Sequence, residues 1–210
     1  MTPDSTHAES DRRVTDARPL VTIEGDKIAL GPIRRDLLPL YQAWINDLSV
    51  TRFLVSRPMS LDEEISWYEG VVNNERMVFF TIYERSSYRP IGGVDLHGID
   101  VRNRTAELGI MIGERDARGR GLGTEAVRLV CDYGFNAMEL NSIWLLTFGW
   151  NIAGQKAYVK AGFREFGRRR QARYFDGRYW DDIYYDLLRE EFESPVVHEI
   201  MSDGVSGNDR

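Results

Sequence analysis

Three glycines at positions 119, 121 and 123, set between an extended run and a helical one, restrict this chain more than any other feature. Before them, Arg104 to Ile112 has the composition of a strand. After them, Ala126, Leu129, Val130, Tyr133 and Ala137 recur at helical spacing, so an amphipathic helix is expected to end near Met138. Glycines at such a junction let the backbone approach a ligand and turn free N–H groups toward an anion at the helix start. Arg115, Arg118 and Arg120 add positive charge, partly offset by Glu114 and Asp116. Phosphate binding and a flexible loop with solvated arginines both stay open on these residues alone. Gly121 to Ala126 formally satisfies the GxGxxG/A dinucleotide pattern. The next strand, Ile143 to Phe148, nevertheless ends in Gly149-Trp150 without the acid that would hold a ribose, and no Lys-Ser or Lys-Thr follows the glycines as in a P-loop.

Around this junction the chain reads as one mixed α/β (α+β) domain over residues 20–193. Residues 1–19 have almost no large apolar side chains and are expected to be a disordered tail, and residues 194–210 a flexible one. A short strand over Lys27 to Ile33 precedes a helix with Asp36 as its N-cap, then a second helix with Ser60 and Glu63 at capping-box spacing. Met77 to Glu84, Pro90 to His97 and Arg104 to Ile112 follow as strands with turn-like connectors, which predicts an antiparallel meander. Beyond the glycines come the strand Ile143 to Phe148, a helix over Asn151 to Ala161 closed by Gly162, and two strands, Phe163 to Tyr174 and Trp180 to Leu188, joined at Phe175 to Arg178.

Bulk properties exclude several classes. A net charge of −6 and a pI near 5.2 give no electrostatic reason to expect a nucleic-acid partner, and suit a cationic acceptor better. The single cysteine, Cys131, rules out an internal disulfide framework and a cysteine-rich metal site and fits a reducing cytoplasm. No stretch approaches the roughly 20 apolar residues of a membrane span, so the expectation is a cytoplasmic protein with no membrane or metal partner.

Two separated motifs carry a resemblance. Arg118, Gly121 and Gly123 match Arg/Gln-x-x-Gly-x-Gly/Ala, and Asn151, Tyr158, Gly162 and Phe163 match Asn-x-x-Ala-x-x-x-Tyr-x-x-x-Gly-Phe, with Gly154 standing where alanine is usual. In that order they resemble the GCN5-related N-acetyltransferase (GNAT) family, and Asp176 to Asp181 looks like its RimJ/RimL and spermidine acetyltransferase branch. The resemblance covers roughly residues 27–192. It implies a mostly antiparallel sheet of about seven strands in which strands 4 and 5 splay apart. It implies acetyl-CoA as co-substrate, with other acyl-CoAs such as succinyl-CoA not excluded. The backbone of Arg118, Gly119, Arg120, Gly121, Leu122, Gly123 and Thr124 would hold the pyrophosphate. Asn151 would bond the pantetheine arm, a backbone N–H near Met111 or Ile112 would meet the oxyanion, and Tyr158 would be the general acid.

Acyl transfer to an amine also needs a base. Glu107 lies inside an apolar strand, where an acid either faces solvent or is kept for function. Asp95 and His97 share a facing on the neighbouring strand and could relay a proton or bind a cationic acceptor. Aromatic residues of the first helices and the last turn, Trp44 and Tyr179 among them, would flank the acceptor. Cys131 sits mid-helix as a small hydrophobe, so direct transfer in a ternary complex is expected over an acyl-enzyme. The readings are an N-acetyltransferase for the primary amine of a small molecule (polyamine, aminosugar or antibiotic-like), a protein N-terminal acetyltransferase like RimJ and RimL, and a non-catalytic acyl-CoA-binding module. The exposed C-terminal strands could mediate a homodimer but do not require one.

Overall fold

Period-two patterning and short connectors build one sheet, and the way it comes apart in the middle creates the site. The computed structural model describes residues 18–54 and 57–203; the expected N-terminal tail up to residue 17 and the last seven residues lie outside them. The strands are β1 (Ile23–Glu24), β2 (Ile28–Pro32), β3 (Val78–Glu84), β4 (Arg89–Asp100), β5 (Thr105–Ile112), β6 (Ser142–Phe148), β7 (Arg164–Phe175) and β8 (Arg178–Leu188). They form an eight-stranded sheet in the order β1-β2-β3-β4-β5-β6-β8-β7. The expected meander is β3 to β5, antiparallel throughout, and β2 adds to it antiparallel beside β3. The eighth strand, absent from the expected seven, is the two-residue β1 pairing Ile23 with Leu30, too short to carry an alternation.

Only β5 and β6 run parallel, and they pair at three positions, Thr105↔Ser142, Ala106↔Ile143 and Glu107↔Trp144. Beyond Glu107 the two strands part, which is the splay expected between strands 4 and 5. Gly113 N–H donates to Ile91 C=O at 2.9 Å. Stepping back through the register Gly93↔Met111 and Asp95↔Gly109, the alternation of an antiparallel ladder turns the amides of Leu108, Ile110 and Ile112 away from β4 and toward the gap.

The two faces of β5 meet different helices. Ala106 and Leu108 are buried in the main core together with Ala126, Leu129 and Val130 of α4 (Leu122–Asp132), and Tyr158 of α5 (Ile152–Ala161) joins the same core. Met111, on the opposite face, packs against a smaller cluster of Leu38, Tyr41 and Trp44 from α1 (Leu38–Ile45) and Trp67 and Tyr68 from α3 (Leu61–Val72). The gap is therefore walled by α4 and α5 on one side and, on the other, by Ile45 at the end of α1 and the segment that follows it.

Helix ends follow local chemistry in part. Ser60 Oγ accepts from Glu63 N–H while the Glu63 carboxylate accepts from Ser60 N–H, the expected capping box. Gly162 closes α5 at φ 109°. Asp36 does not cap α1: its carboxylate takes the Arg34 guanidinium, and the helix starts after a 3-10 turn with a proline in its first turn and no side-chain cap. The helix after the glycines ends at Asp132 and continues as a π-helical segment over residues 133–137.

The expected flexible tail from residue 194 is corrected up to residue 203. The buried Asp132 carboxylate accepts from Asn136 Nδ2 at 2.8 Å, Ser194 Oγ at 2.5 Å and the amides of Val196 and Val197 at 2.9 and 2.8 Å. These bonds draw the chain back into α6 (Val197–Ser202), with Val197 buried against the core. The segment is low in apolar residues, so its anchor is a carboxylate over sixty positions away that no local pattern announces.

Candidate functional site

A cleft of about 970 Å³ runs through the gap between β5 and β6. One end is the glycine loop. Gly119 and Gly121 have φ of 72° and 84°, the left-handed region that costs a side chain with a Cβ roughly 1–2 kcal/mol, and an added Cβ at either would meet nothing within 4 Å. The amides of Gly119, Arg120 and Gly121 donate to no backbone acceptor among the described residues, and the first amides of α4 have no helical partner by geometry. The loop thus offers a set of free donors at the positive end of an eleven-residue helix, which is what an anion requires.

The arginines of this loop do other work. Arg118 Nε and Nη2 donate to the carbonyls of Ile112 and Gly113 at 3.1 and 3.0 Å, and its Nη1 reaches the Ser49 carbonyl at 3.3 Å. It is a strut joining the end of β5, the loop and the short helix α2 (Leu48–Thr51), and burial lowers its pKa. Arg120 turns away to pair with Glu84, and Arg115 pairs with Asp47 at 3.1 Å. Leu122 is buried in the core. What residues 118–124 offer to an anion is therefore backbone amides, with Gly119, Gly121, Gly123 and Thr124 on the cleft wall.

Met111 and Ile112 line the cleft beside this loop, and the amides of Ile110 and Ile112 turn outward into the gap between β5 and β6. Asn151 also lines it, but its side chain is committed: Oδ1 accepts from Gly154 N–H at 3.0 Å as the N-cap of α5, and Nδ2 donates to Thr147 Oγ1 at 3.1 Å. A Cβ at Gly154, where the resembling motif has alanine, would stand 2.4 Å from Asn151 Nδ2, so an alanine here requires the Asn151 side chain to shift.

Tyr158 borders the cleft from the α4–α5 side. It is 8% exposed, packs against Phe163 and Tyr185, and its hydroxyl has no hydrogen-bond partner among the described residues. Burial pushes its pKa up to about 12, so it keeps its proton at any physiological pH.

From the other face come Asp95, His97 and Glu107. His97 pairs with Glu107 across β4 and β5, its Nδ1 lies 2.6 Å from Asp95 Oδ1 and its Nε2 lies 3.4 Å from Glu107 Oε2. Gly109 makes room for this, because a Cβ there would stand 2.6 Å from the Asp95 carboxylate. Hydrogen bonds donated by His97 to Asp95 and then to Glu107 raise its pKa to about 10 against the desolvation of its half-buried ring. At neutral pH the cluster is an imidazolium between two carboxylates, so His97 donates and does not act as a base. The folded-state pKa lies above the ordinary 6.5, so the stabilisation is fully present below about pH 6.5 and is lost as pH rises toward 10. With the His97 side chain 39% exposed, solvent screens part of it. The Tm gap between wild type and His97→Gln is expected to be widest near pH 6 and to close steadily toward pH 10; a gap that widens with pH would contradict the imidazolium assignment.

Two expected acceptor residues lie elsewhere. Trp44 is buried in the α1–α3 cluster with Nε1 donating to Glu114 at 2.8 Å, and Tyr179 is 62% exposed at the β7–β8 turn against Tyr174. Neither borders the cleft. Val50, Phe53 and Leu54, from α2 and the turn after it, line the cleft; Phe53 is one of the aromatic residues expected to flank an acceptor, whereas Val50 and Leu54 carry no signal in the sequence. This segment is tied down by Arg115 at Asp47, Arg118 at Ser49 and Trp150, whose Nε1 donates to the Arg52 carbonyl at 3.0 Å. The Asp47 cap, which accepts from Ser49 N–H, was the one local signal for α2. Cys131 is wholly buried with its thiol pKa pushed up, as a packing residue would be. Among the described residues no cluster of His, Cys, Asp or Glu could hold a metal ion, and no helix is long and apolar enough to cross a membrane.

Comparison with known proteins bears on this cleft. The family model described as an acetyltransferase (GNAT) domain matches residues 27–164. The Bacillus subtilis N-acetyltransferase YoaA is 28% identical over 172 residues, 80% of this chain and 96% of that protein. The human alpha/beta-tubulin N-acetyltransferase 9 is 30% identical over 131 residues, 55% of this chain and 62% of that protein. A spermidine N-acetyltransferase of Vibrio cholerae, solved with CoA and spermine, superimposes with a TM-score of 0.73 at 23% identity, covering 80% of this chain and 98% of that one. The last of these speaks for the fold alone, and the acceptors named differ from one relative to the next.

Proposed function

Because the chain belongs to the GNAT acetyltransferase family, we propose that it moves an acetyl group from acetyl-CoA directly to the primary amine of a small molecule. The observation that carries this reading is the continuity of one cleft from the glycine loop to the Asp95–His97–Glu107 cluster, with Tyr158 on its other wall. The amides of Gly119 to Thr124 would take the pyrophosphate, and the unpaired edge of β5 would run alongside the pantetheine arm as an added strand does. Lys156 and Lys160 of α5 lie on the same wall and suit the phosphates better than a cationic acceptor.

The chemistry then divides between the two faces. On the α1–α3 side the carboxylates of Asp95 and Glu107 outweigh the His97 cation by one charge and attract an ammonium ion. An amine of ordinary pKa, about 10.4, attacks only in its uncharged form, so the bound ammonium first releases one proton to water in the cleft. Glu107 is then placed to accept the second proton, from the nitrogen after the C–N bond forms, when it is far more acidic. Outward amides of β5 stabilise the carbonyl oxygen as it gains charge, and Tyr158 donates to the sulfur as the C–S bond breaks.

A small acceptor fits better than a protein terminus because the strapped α2 segment roofs the acceptor side. The test is release of CoA thiol by the purified chain from acetyl-CoA with a panel of primary amines and with peptides bearing free N-termini. Turnover with amines at a kcat/KM at least about tenfold above that of any peptide is expected. Peptide preference would reverse the acceptor reading, and intact acetyl-CoA binding with no thiol release from any acceptor would leave only a binding module.

A further inference from the structure

The cleft's charge balance bears on the kind of amine it can hold, and this rests on the acetyl-transfer reading above. Among the described residues, Glu107 is the only carboxylate on the lining, and His97 already pairs with it; the other charged side chains there, Arg118, Lys156 and Lys160, are all cationic. Asp95 stands behind His97 and completes the cluster without bordering the cleft. Glu64, buried on the inner face of α3 with its pKa raised by desolvation, does not border it either. The acceptor end therefore offers one net negative charge. One ammonium entering it is compensated. A second or third would leave water with no counter-charge and would meet lysines along the α5 wall, a penalty that grows with each charge buried.

The rest of the acceptor end is apolar. Val50, Phe53 and Leu54 form the roof, and Met111 and Phe148 face them from the sheet. Phe148 is the first ring of a stack that holds its position: Trp150 lies on it at 4.5 Å between ring centroids and 20° between planes, and Phe175 lies on Trp150 at 4.7 Å and 15°. Trp150 also holds the roof through the Arg52 carbonyl. Phe148, which also carries the Arg173 guanidinium 5.1 Å from its ring centroid, is thus tied through one indole to the segment that bears Phe53, and the apolar lining there suits a hydrophobic group.

We propose that the acceptor is a monocationic amine on an apolar, ring-sized body, and that the cleft discriminates against polyamines. The ammonium is held at the Glu107–His97–Asp95 cluster and the body against the apolar lining of Val50, Phe53, Leu54 and Met111. The group transferred and the bonds changed are those of the amide-forming step already described.

Calorimetric titration of 2-phenylethylamine and of spermidine into the full chain saturated with CoA reads selectivity without turnover. Phenylethylamine is expected to bind at least about tenfold more tightly than spermidine, a difference of about 1.4 kcal/mol. The variant Phe53→Glu, which places a second carboxylate on the roof, is expected to shift that ratio toward spermidine by about tenfold. Equal affinities, the reverse order, or no binding of either amine to the wild type would each overturn the proposal. Thiol release measured in parallel separates the two questions: selective binding with no release counts against acetyl transfer and leaves the acceptor class standing.

Discussion

Replacement of Tyr158 by phenylalanine is expected to lower kcat between about ten- and a hundredfold and to leave the KM for acetyl-CoA within a factor of about three. The size follows from what its environment allows. Burial holds the phenol at a pKa of about 12, whereas an ordinary thiol titrates near 8.5. Complete proton transfer to the departing thiolate would thus be uphill by about 3.5 units, roughly 4.8 kcal/mol, unless the sulfur is desolvated to a similar degree. The phenol can still donate a hydrogen bond to the sulfur as its charge grows, and a hydrogen bond to a charged group contributes about 1.5–3 kcal/mol. Converted through the rate equation, that range gives the predicted loss. The variant keeps the ring and its contacts with Phe163 and Tyr185, so the melting temperature should barely move. Because the phenol stays protonated over the accessible range, the loss should be the same at pH 6 and pH 9. An unchanged kcat across that range would make Tyr158 a packing residue.

Which parts of this site were legible beforehand depends on how local their causes are. The meander, the capping box at Ser60, the Gly162 cap and the alternation that sends Glu107 and Met111 to one face and Leu108 to the other are set within a few residues of themselves. The glycine loop falls in the same class, since a positive φ at Gly119 and Gly121 is a property of the position. Side-chain partnerships are different. Arg118 reads as a phosphate ligand and is spent on Ile112, Gly113 and Ser49; Arg120 reads the same way and is spent on Glu84. Trp44 was placed at the acceptor and is held by Glu114, seventy positions on. Each of these side chains takes the nearest available partner in space, and that depends on how the α1–α3 layer settles on the sheet. The α2 roof and the α6 return show the same limit: one turn at Leu48–Thr51 is too short for a periodic signal, and α6 is fixed by Asp132. The glycine-loop end of the cleft, proposed to hold the donor, is made of backbone and is legible in the sequence; at the other end strand alternation brings Glu107, His97 and Asp95 together as the pattern implies, while the α2 wall rests on tertiary contacts that no local pattern shows.

That division singles out position 121 as the place to test the donor half. Most substitutions there would confound two effects, because φ of 84° penalises any side chain with a Cβ. Asparagine and aspartate tolerate the left-handed region best among the residues other than glycine, are nearly identical in shape, and differ by one charge. The Cβ would project into open space, so neither should clash. Gly121→Asn is expected to weaken acetyl-CoA binding only a few-fold, and Gly121→Asp about a hundredfold. A unit charge about 4 Å from a phosphate charge at an effective dielectric near 20 is repelled by about 4 kcal/mol. The aspartate can swing toward solvent and recover part of that, which leaves about 2.7 kcal/mol, the equivalent of two decades. Gly167→Ala on β7 serves as the control, since it does not line the cleft, its Cβ would meet nothing within 4 Å and the position needs no positive φ. Its affinity and melting temperature should stay near wild type. The decisive quantity is the ratio of the aspartate and asparagine dissociation constants, read by calorimetry on chains of equal melting temperature. A ratio near one would mean that no anion sits at the start of α4, because a charge placed in the middle of a pyrophosphate cradle cannot be neutral to the ligand it faces.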